Sequence, residues 1–179
     1  SLQFALNKLG VNSILSNDTE KISSADKVIF PGQGQASSAM VKLKNKGLDK
    51  VIPNLKQPLL GICLGMQLLC LKTKEGNTKG LGIIKINVEK FPDSVKVPQM
   101  GWNTVSHSSR NLFKGIRQDT YMYLVHSYYV PLIDETSAQS FYSLNYSVAI
   151  EKNNFYGVQF HPEKSSADGL LLLENFLKL

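Results

Sequence analysis

Cysteine, tryptophan and histidine are scarce in this chain of 179 residues, which has two, one and three of them. Cys63 and Cys70 form no C-x-x-C pair, and His107, His126 and His161 are scattered. Neither a disulfide framework nor a zinc site is expected. If both cysteines lie along one helix they stand roughly 10 Å apart, too far to bridge. Cys70, among Leu68, Leu69 and Leu71, reads as a small buried hydrophobe. Long apolar runs are also missing. The longest, Leu59 to Leu71, is 13 residues and contains Gln67, too short to span a bilayer. No signal-peptide pattern opens the chain, so a cytoplasmic location is expected.

Acidic residues are outnumbered, 14 against 20 basic ones, giving a net charge of +6. The lysines are spread, however. Lys42, Lys44, Lys46, Lys50 and Lys56 fit a solvated helix face and its loop, and no basic stripe is interleaved with aromatics. Nucleic acid is therefore not an expected partner. A mild attraction for a phosphorylated metabolite or an acidic protein surface is more in keeping with this charge. Repeats, linkers and low-complexity tracts are lacking. With 42% hydrophobic residues, the chain is expected to fold as one domain over residues 1–179 with a substantial core.

Strand and helix patterns alternate up to Lys72, which predicts a parallel sheet flanked by helices. A helix is expected to Leu9 with Gly10 as its C-cap. Short strands are expected at Asn12–Leu15 and Lys27–Phe30, a helix at Gln35–Gly47 and a strand at Pro58–Ile62. Short strands then follow at Ile83–Val88, Thr120–Val125, Ala138–Leu144, Ser147–Glu151 and Phe155–Gln159. Asn153-Asn154 is read as a hairpin turn, and Ala167–Leu177 as a closing helix.

The most informative stretch is Gly61-Ile62-Cys63-Leu64-Gly65-Met66-Gln67. It joins the Pro58–Ile62 strand to an apolar helix expected to run on through Leu71. Glycines two residues either side of a nucleophile in a strand–turn–helix are the layout of a nucleophile elbow, with cysteine in the serine position. The first turn of the helix offers unpaired N–H groups and a partial positive charge, which favour a thiolate and an oxyanion. About a hundred residues later, Gly157-Val158-Gln159-Phe160-His161-Pro162-Glu163 reads as a buried strand ending in His-x-Glu, a base with an orienting carboxylate. Either piece alone also fits a packed turn; the two together, each at a strand end, point to a cysteine triad.

These motifs resemble the triad (class I) glutamine amidotransferases. Pro98-Gln99-Met100-Gly101-Trp102-Asn103 and Val125-His126-Ser127-Tyr128-Tyr129 further resemble the glutaminase subunits of imidazole glycerol phosphate synthases. The resemblance implies an α/β fold with a flavodoxin-like or Rossmann-like, mostly parallel sheet and an added antiparallel region. It implies hydrolysis of L-glutamine, with ammonia passed to a (β/α)8-barrel cyclase subunit, and no metal or organic cofactor. Cys63 is then the nucleophile, His161 the base and Glu163 its orienting partner. Backbone N–H groups of Leu64 and of the Gly32-Gln33 turn are the expected oxyanion donors. Family members usually have an apolar residue where Gln33 stands, but a backbone donor does not depend strongly on its side chain. Gln67, at i+4 from Cys63 on the same helix face, and Glu75 are expected to contact the amino-acid end of glutamine, with His126, Ser127 and Tyr128 lining the pocket. His126 is read as a hydrogen-bonded, non-catalytic histidine. Trp102, Asn103, Tyr123 and Lys164 match positions that meet the synthase subunit or gate the ammonia passage.

One departure from the family concerns the start of the chain. It opens on a helix, whereas family members have a strand and a glycine-containing turn ahead of it, inside the sheet. Loss of such a strand exposes backbone groups and apolar area on its neighbours. Three other readings stay open at this stage. They are a paralogous glutaminase feeding a sugar-modifying amidotransferase of surface-polysaccharide synthesis, a catalytically silent scaffold and a stand-alone γ-glutamyl hydrolase.

Overall fold

The computed structural model describes residues 1–108 and 111–179. Among the described residues six α-helices are formed: α1 (Leu2–Lys8), α2 (Thr19–Ser24), α3 (Ala36–Asn45), α4 (Leu48–Val51), α5 (Leu64–Leu68) and α6 (Ser166–Leu177). The strands are β1 (Val28–Gly32), β2 (Leu59–Cys63), β3 (Cys70–Thr73), β4 (Thr78–Lys79), β5 (Ile84–Lys90), β6 (Gln99–His107), β7 (Thr120–His126), β8 (Tyr128–Tyr129), β9 (Thr136–Tyr142), β10 (Leu144–Lys152) and β11 (Phe155–Val158). Seven strands form one sheet in the order β1-β2-β11-β10-β9-β6-β7, and four form a second in the order β4-β3-β5-β8.

The α/β architecture expected from the sequence is present. β1, β2 and β11 pair in parallel and form the part of the sheet that carries the elbow. The remaining pairings of the large sheet are antiparallel, so the added antiparallel region is extensive. β2 is apolar without alternation because both its faces are covered. Leu60 and Ile62 face one core cluster with Val158, Phe160 and Leu173, while Leu59 faces another with Met40, Leu64 and Met66. Each such side chain contributes about 1.5–3 kcal/mol on burial. The β10–β11 hairpin turns at Asn153-Asn154 as expected, with Lys152 opposite Phe155. Asn154 then ties this turn to the carbonyls of Leu55 and Gln57 at 2.8 and 2.9 Å.

Two expectations fail. Asn12–Leu15 is not a strand, and Ile14 and Leu15 are 83% and 86% exposed. A strand needs a neighbour for its ladder, and among the described strands β1 pairs only with β2, leaving its other edge free. The helix after the elbow also stops at Leu68 instead of running through Leu71. Cys70–Thr73 is drawn into β3 by pairing with β5 and β4. The two cysteines therefore do not share a helix. Both are free thiols, and burial pushes Cys70 up to about 12. Strand β6 was not anticipated as a strand, although its Met-Gly-Trp-Asn segment stood out as a motif. Among the described residues no helix is long and apolar enough to cross a membrane.

A candidate cysteine-triad active site

Cys63 ends β2 and caps α5 with φ 55° and ψ −113°. This is a strained backbone for a residue with a Cβ, of the kind held only where the surroundings over-determine it. The surroundings here are close-packed glycines. A Cβ on Gly65 would lie 1.9 Å from the Phe30 carbonyl oxygen, and one on Gly32 would lie 2.5 Å from the Gly65 nitrogen. β1 can thus press directly on the elbow, and Gly32 stands opposite Cys63 in the parallel register. With only five residues, α5 contributes little macrodipole. Its useful charge is that of the unpaired N–H groups of its first turn.

His161 follows β11, two residues beyond Gln159. Its imidazole Nδ1 lies 3.0 Å from Glu163 Oε1, and both side chains are largely buried. A carboxylate only accepts, so Nδ1 carries the hydrogen and Nε2 is left for the nucleophile. His161 is raised to about 9, first by its hydrogen bond with Cys63 and then by that with Glu163. Burial alone pushes Glu163 up. The His161 hydrogen bond, a backbone N–H and the charges of His161 and Lys164 together outweigh it and leave the carboxyl below its usual range. A protonated imidazole between a cysteine and a carboxylate is the arrangement of a nucleophile and its acid–base partner. The main chain of His161 is itself fixed: its N–H donates to the Tyr123 carbonyl at 2.9 Å. Ser165 Oγ donates to the His161 carbonyl at 2.6 Å and accepts the Tyr123 N–H at 3.0 Å.

The other predicted residues divide. Gln67 is buried next to the nucleophile and donates from Nε2 to the Tyr128 carbonyl at 3.0 Å and to Gln159 Oε1 at 2.8 Å. Tyr128 thereby borders the site, and Ser127 precedes it, its carbonyl accepting the Phe91 N–H at 3.1 Å. His126 is spent internally: Nδ1 donates to the Tyr128 carbonyl at 2.8 Å, and Nε2, left as the acceptor, lies 2.9 Å from the side-chain amide of Gln99. Burial lowers it to about 4, so it is neutral and supports the wall. Glu75 does not hang free in its loop. Its Oε2 accepts the Ala36 N–H at 2.9 Å and so caps α3, the helix that follows the Gly32-Gln33-Gly34 turn. Gln33 itself is exposed. Leu64 is buried and follows the nucleophile, where its N–H is one of the unpaired donors of the first turn.

Trp102 is about half exposed and meets the Tyr123 ring edge-on at 5.9 Å. Lys164 Nζ sits 6.0 Å from the centroid of the same ring. These three form one surface cluster. Asn103 instead bonds its own sheet, donating to the Phe141 carbonyl at 2.8 Å. Sequence reasoning passed over Gln159 and Ser165. Gln159 stands two residues ahead of His161 and Ser165 two residues beyond Glu163, and that nearness to the strand-end motif was the only available signal.

The model of the class-I glutamine amidotransferase family matches residues 2–179. The chain belongs to the class-I glutamine amidotransferases. A relative from Bacteroides fragilis, named imidazole glycerol phosphate synthase subunit HisH, is 48% identical over all of this chain and 93% of its own length. One of the same name from Haemophilus influenzae is 48% identical over 99% of this chain and 90% of its own. Among solved structures, a glutamine amidotransferase superposes over 99% of this chain and 90% of its own, with a TM-score of 0.77 at 17% identity. Another, from Thermotoga maritima, gives 0.64 at 17% identity over 99% and 76%.

Proposed function

We propose that this chain is the glutaminase subunit of an imidazole glycerol phosphate synthase. It hydrolyses L-glutamine to glutamate and ammonia. The ammonia passes to a (β/α)8-barrel cyclase subunit that forms imidazole glycerol phosphate and aminoimidazole carboxamide ribotide in histidine biosynthesis. The observation that carries this reading is full-length identity of 48% to subunits of that name, in a chain whose Cys63, His161 and Glu163 converge.

In this reading the Cys63 thiolate attacks the side-chain amide carbon of glutamine. Charge develops on the amide oxygen, where the N–H of Leu64 and one from the Gly32-Gln33 turn stabilise it. His161 gives its proton to the departing nitrogen, and ammonia leaves a thioester on Cys63. Water attacks the thioester as His161 takes its proton, glutamate leaves and the thiolate is restored. Glu163 keeps the imidazole in one tautomer throughout. Gln67 and Glu75 hold the amino-acid end of the substrate beside the Ser127-Tyr128 wall. Trp102, Tyr123 and Lys164 face the cyclase. Because the Tyr123 main chain is bonded to His161, docking at this cluster bears directly on the base. The reaction needs no metal or organic cofactor, the whole chain works as one domain, and its location is cytoplasmic.

The test is glutaminase turnover with and without a cyclase subunit carrying its acceptor ligand. The purified chain is expected to turn over slowly. The loaded partner is expected to raise kcat more than it changes KM, because oxyanion donors act chiefly in the transition state. Full turnover by the chain alone, unchanged by any cyclase, rejects the gated-subunit reading.

A further inference from the structure

The residue that the triad leaves unexplained is Gln159. It is fully buried, and its amide nitrogen lies 3.6 Å from Cys63 Sγ. Which end of an amide faces a sulfur is decided by its other contacts, and here they decide it. The Tyr128 carbonyl can only accept, so the Gln67 atom 3.0 Å from it is the nitrogen. That nitrogen has a second hydrogen, directed at Gln159 at 2.8 Å. Gln159 must answer with its oxygen, and its nitrogen is thereby turned to the sulfur. A backbone carbonyl at the cleft wall thus sets the polarity of two consecutive side-chain amides.

We propose that Gln159 is a positioning residue for the glutaminase reaction, donating an N–H to the Cys63 thiolate through a relay that runs Tyr128 carbonyl, Gln67, Gln159, Cys63. The relay favours the charged nucleophile and holds its sulfur on the His161 side without competing for the imidazole. It also assigns Gln67 a part separate from glutamine binding, because both hydrogens of its amide are committed and only its oxygen remains for a substrate ammonium. The charged groups on the sulfur's other sides are His161 and, behind it, Glu163. The buried His126 feels the charge of His161 but does not bond the sulfur.

This inference rests on the glutaminase reading, and its test separates the two. In a Cys70→Ala background, the ultraviolet thiolate absorbance of Cys63 is titrated against a Cys63→Ala control. Gln159→Met keeps the volume and removes the donor. Gln159→Glu keeps an acceptor for Gln67 and sets a carboxylate oxygen against the sulfur. The thiolate is expected to appear about one pH unit higher in Gln159→Met and higher still in Gln159→Glu. Glutaminase kcat should fall about tenfold in Gln159→Met with KM within about twofold. A merely structural role lowers the melting temperature without that ordered shift. If either variant, once folded, titrates with the parent, the relay is rejected. A parent without glutaminase activity but with the ordered shift rejects the function and keeps the relay.

Discussion

The cleft around Cys63 and the outer face of the β6–β7–β9 sheet are built on opposite terms. Around Cys63 several polar side chains are buried and paired: Gln159 and Gln67 with each other, His161 with Glu163, His126 with Gln99 and the Tyr128 carbonyl. On the outer face, Met100, Trp102, Tyr121 and Phe141 are 66%, 51%, 60% and 62% exposed. A cluster of large exposed apolar side chains marks a surface that another molecule covers. The buried side chains around Cys63 are already paired with one another, whereas the face leaves its apolar area to solvent. The two regions meet at Tyr123, whose side chain lies on the face and whose backbone bonds His161 and Ser165.

The largest expected effect is at the nucleophile. Cys63→Ala should abolish glutaminase activity and leave partner binding intact, while Cys70→Ala, at a buried and unreactive thiol, keeps most of it. Labelling with a glutamine-like diazo-ketone followed by peptide mapping should find Cys63 alone. Label on Cys70 would overturn the assignment. Next comes Glu163→Gln, which keeps the shape and loses the charge that steadies the imidazolium. A fall in kcat of about two to four orders of magnitude is expected, with cyclase affinity unchanged.

On the other side of the comparison, Trp102→Ala should weaken the cyclase complex by about 1–2 kcal/mol in a calorimetric titration, while the isolated chain keeps its low glutaminase rate. Equal loss of basal rate and affinity would show that the face and the cleft are not separable. The smallest effect is on stability against pH. His161 is raised in the folded state from about 6.5 to about 9. Its contribution is therefore fully present below about 6.5 and lost as pH rises through about 9. Glu163 is depressed, so its contribution is present above its ordinary value and lost as pH falls through its lowered one. The melting temperatures of parent and Glu163→Gln should differ by a few degrees near neutral pH and converge above pH 9. A constant offset across that range would sink the charge-pair account.

Much of this was legible in the residue order. The apolar run of β2, the glycines flanking Cys63 and the two-residue spacing of His161 and Glu163 are local patterns, and local sterics and hydrogen bonding make them nearly self-sufficient. The β10–β11 turn was equally plain. What neighbours decide was not legible. Whether Leu69 to Leu71 continues a helix or breaks into β3 depends on β5, a separate segment whose ladder outweighs the helical pattern. Ile14 and Leu15 fit a strand by residue type but pair with none of the described strands. Glu75 was singled out only by resemblance, and its hydrogen bond from the Ala36 N–H at the start of α3 shows only in the fold. His126 could be judged structural from its strand end, but only burial against Gln99 and Tyr128 makes it neutral. The link between Gln67 and Gln159 joins residues 92 positions apart. A sequence states which residues have the chemistry; which of their hydrogens are already spent is settled only when distant segments are packed against one another.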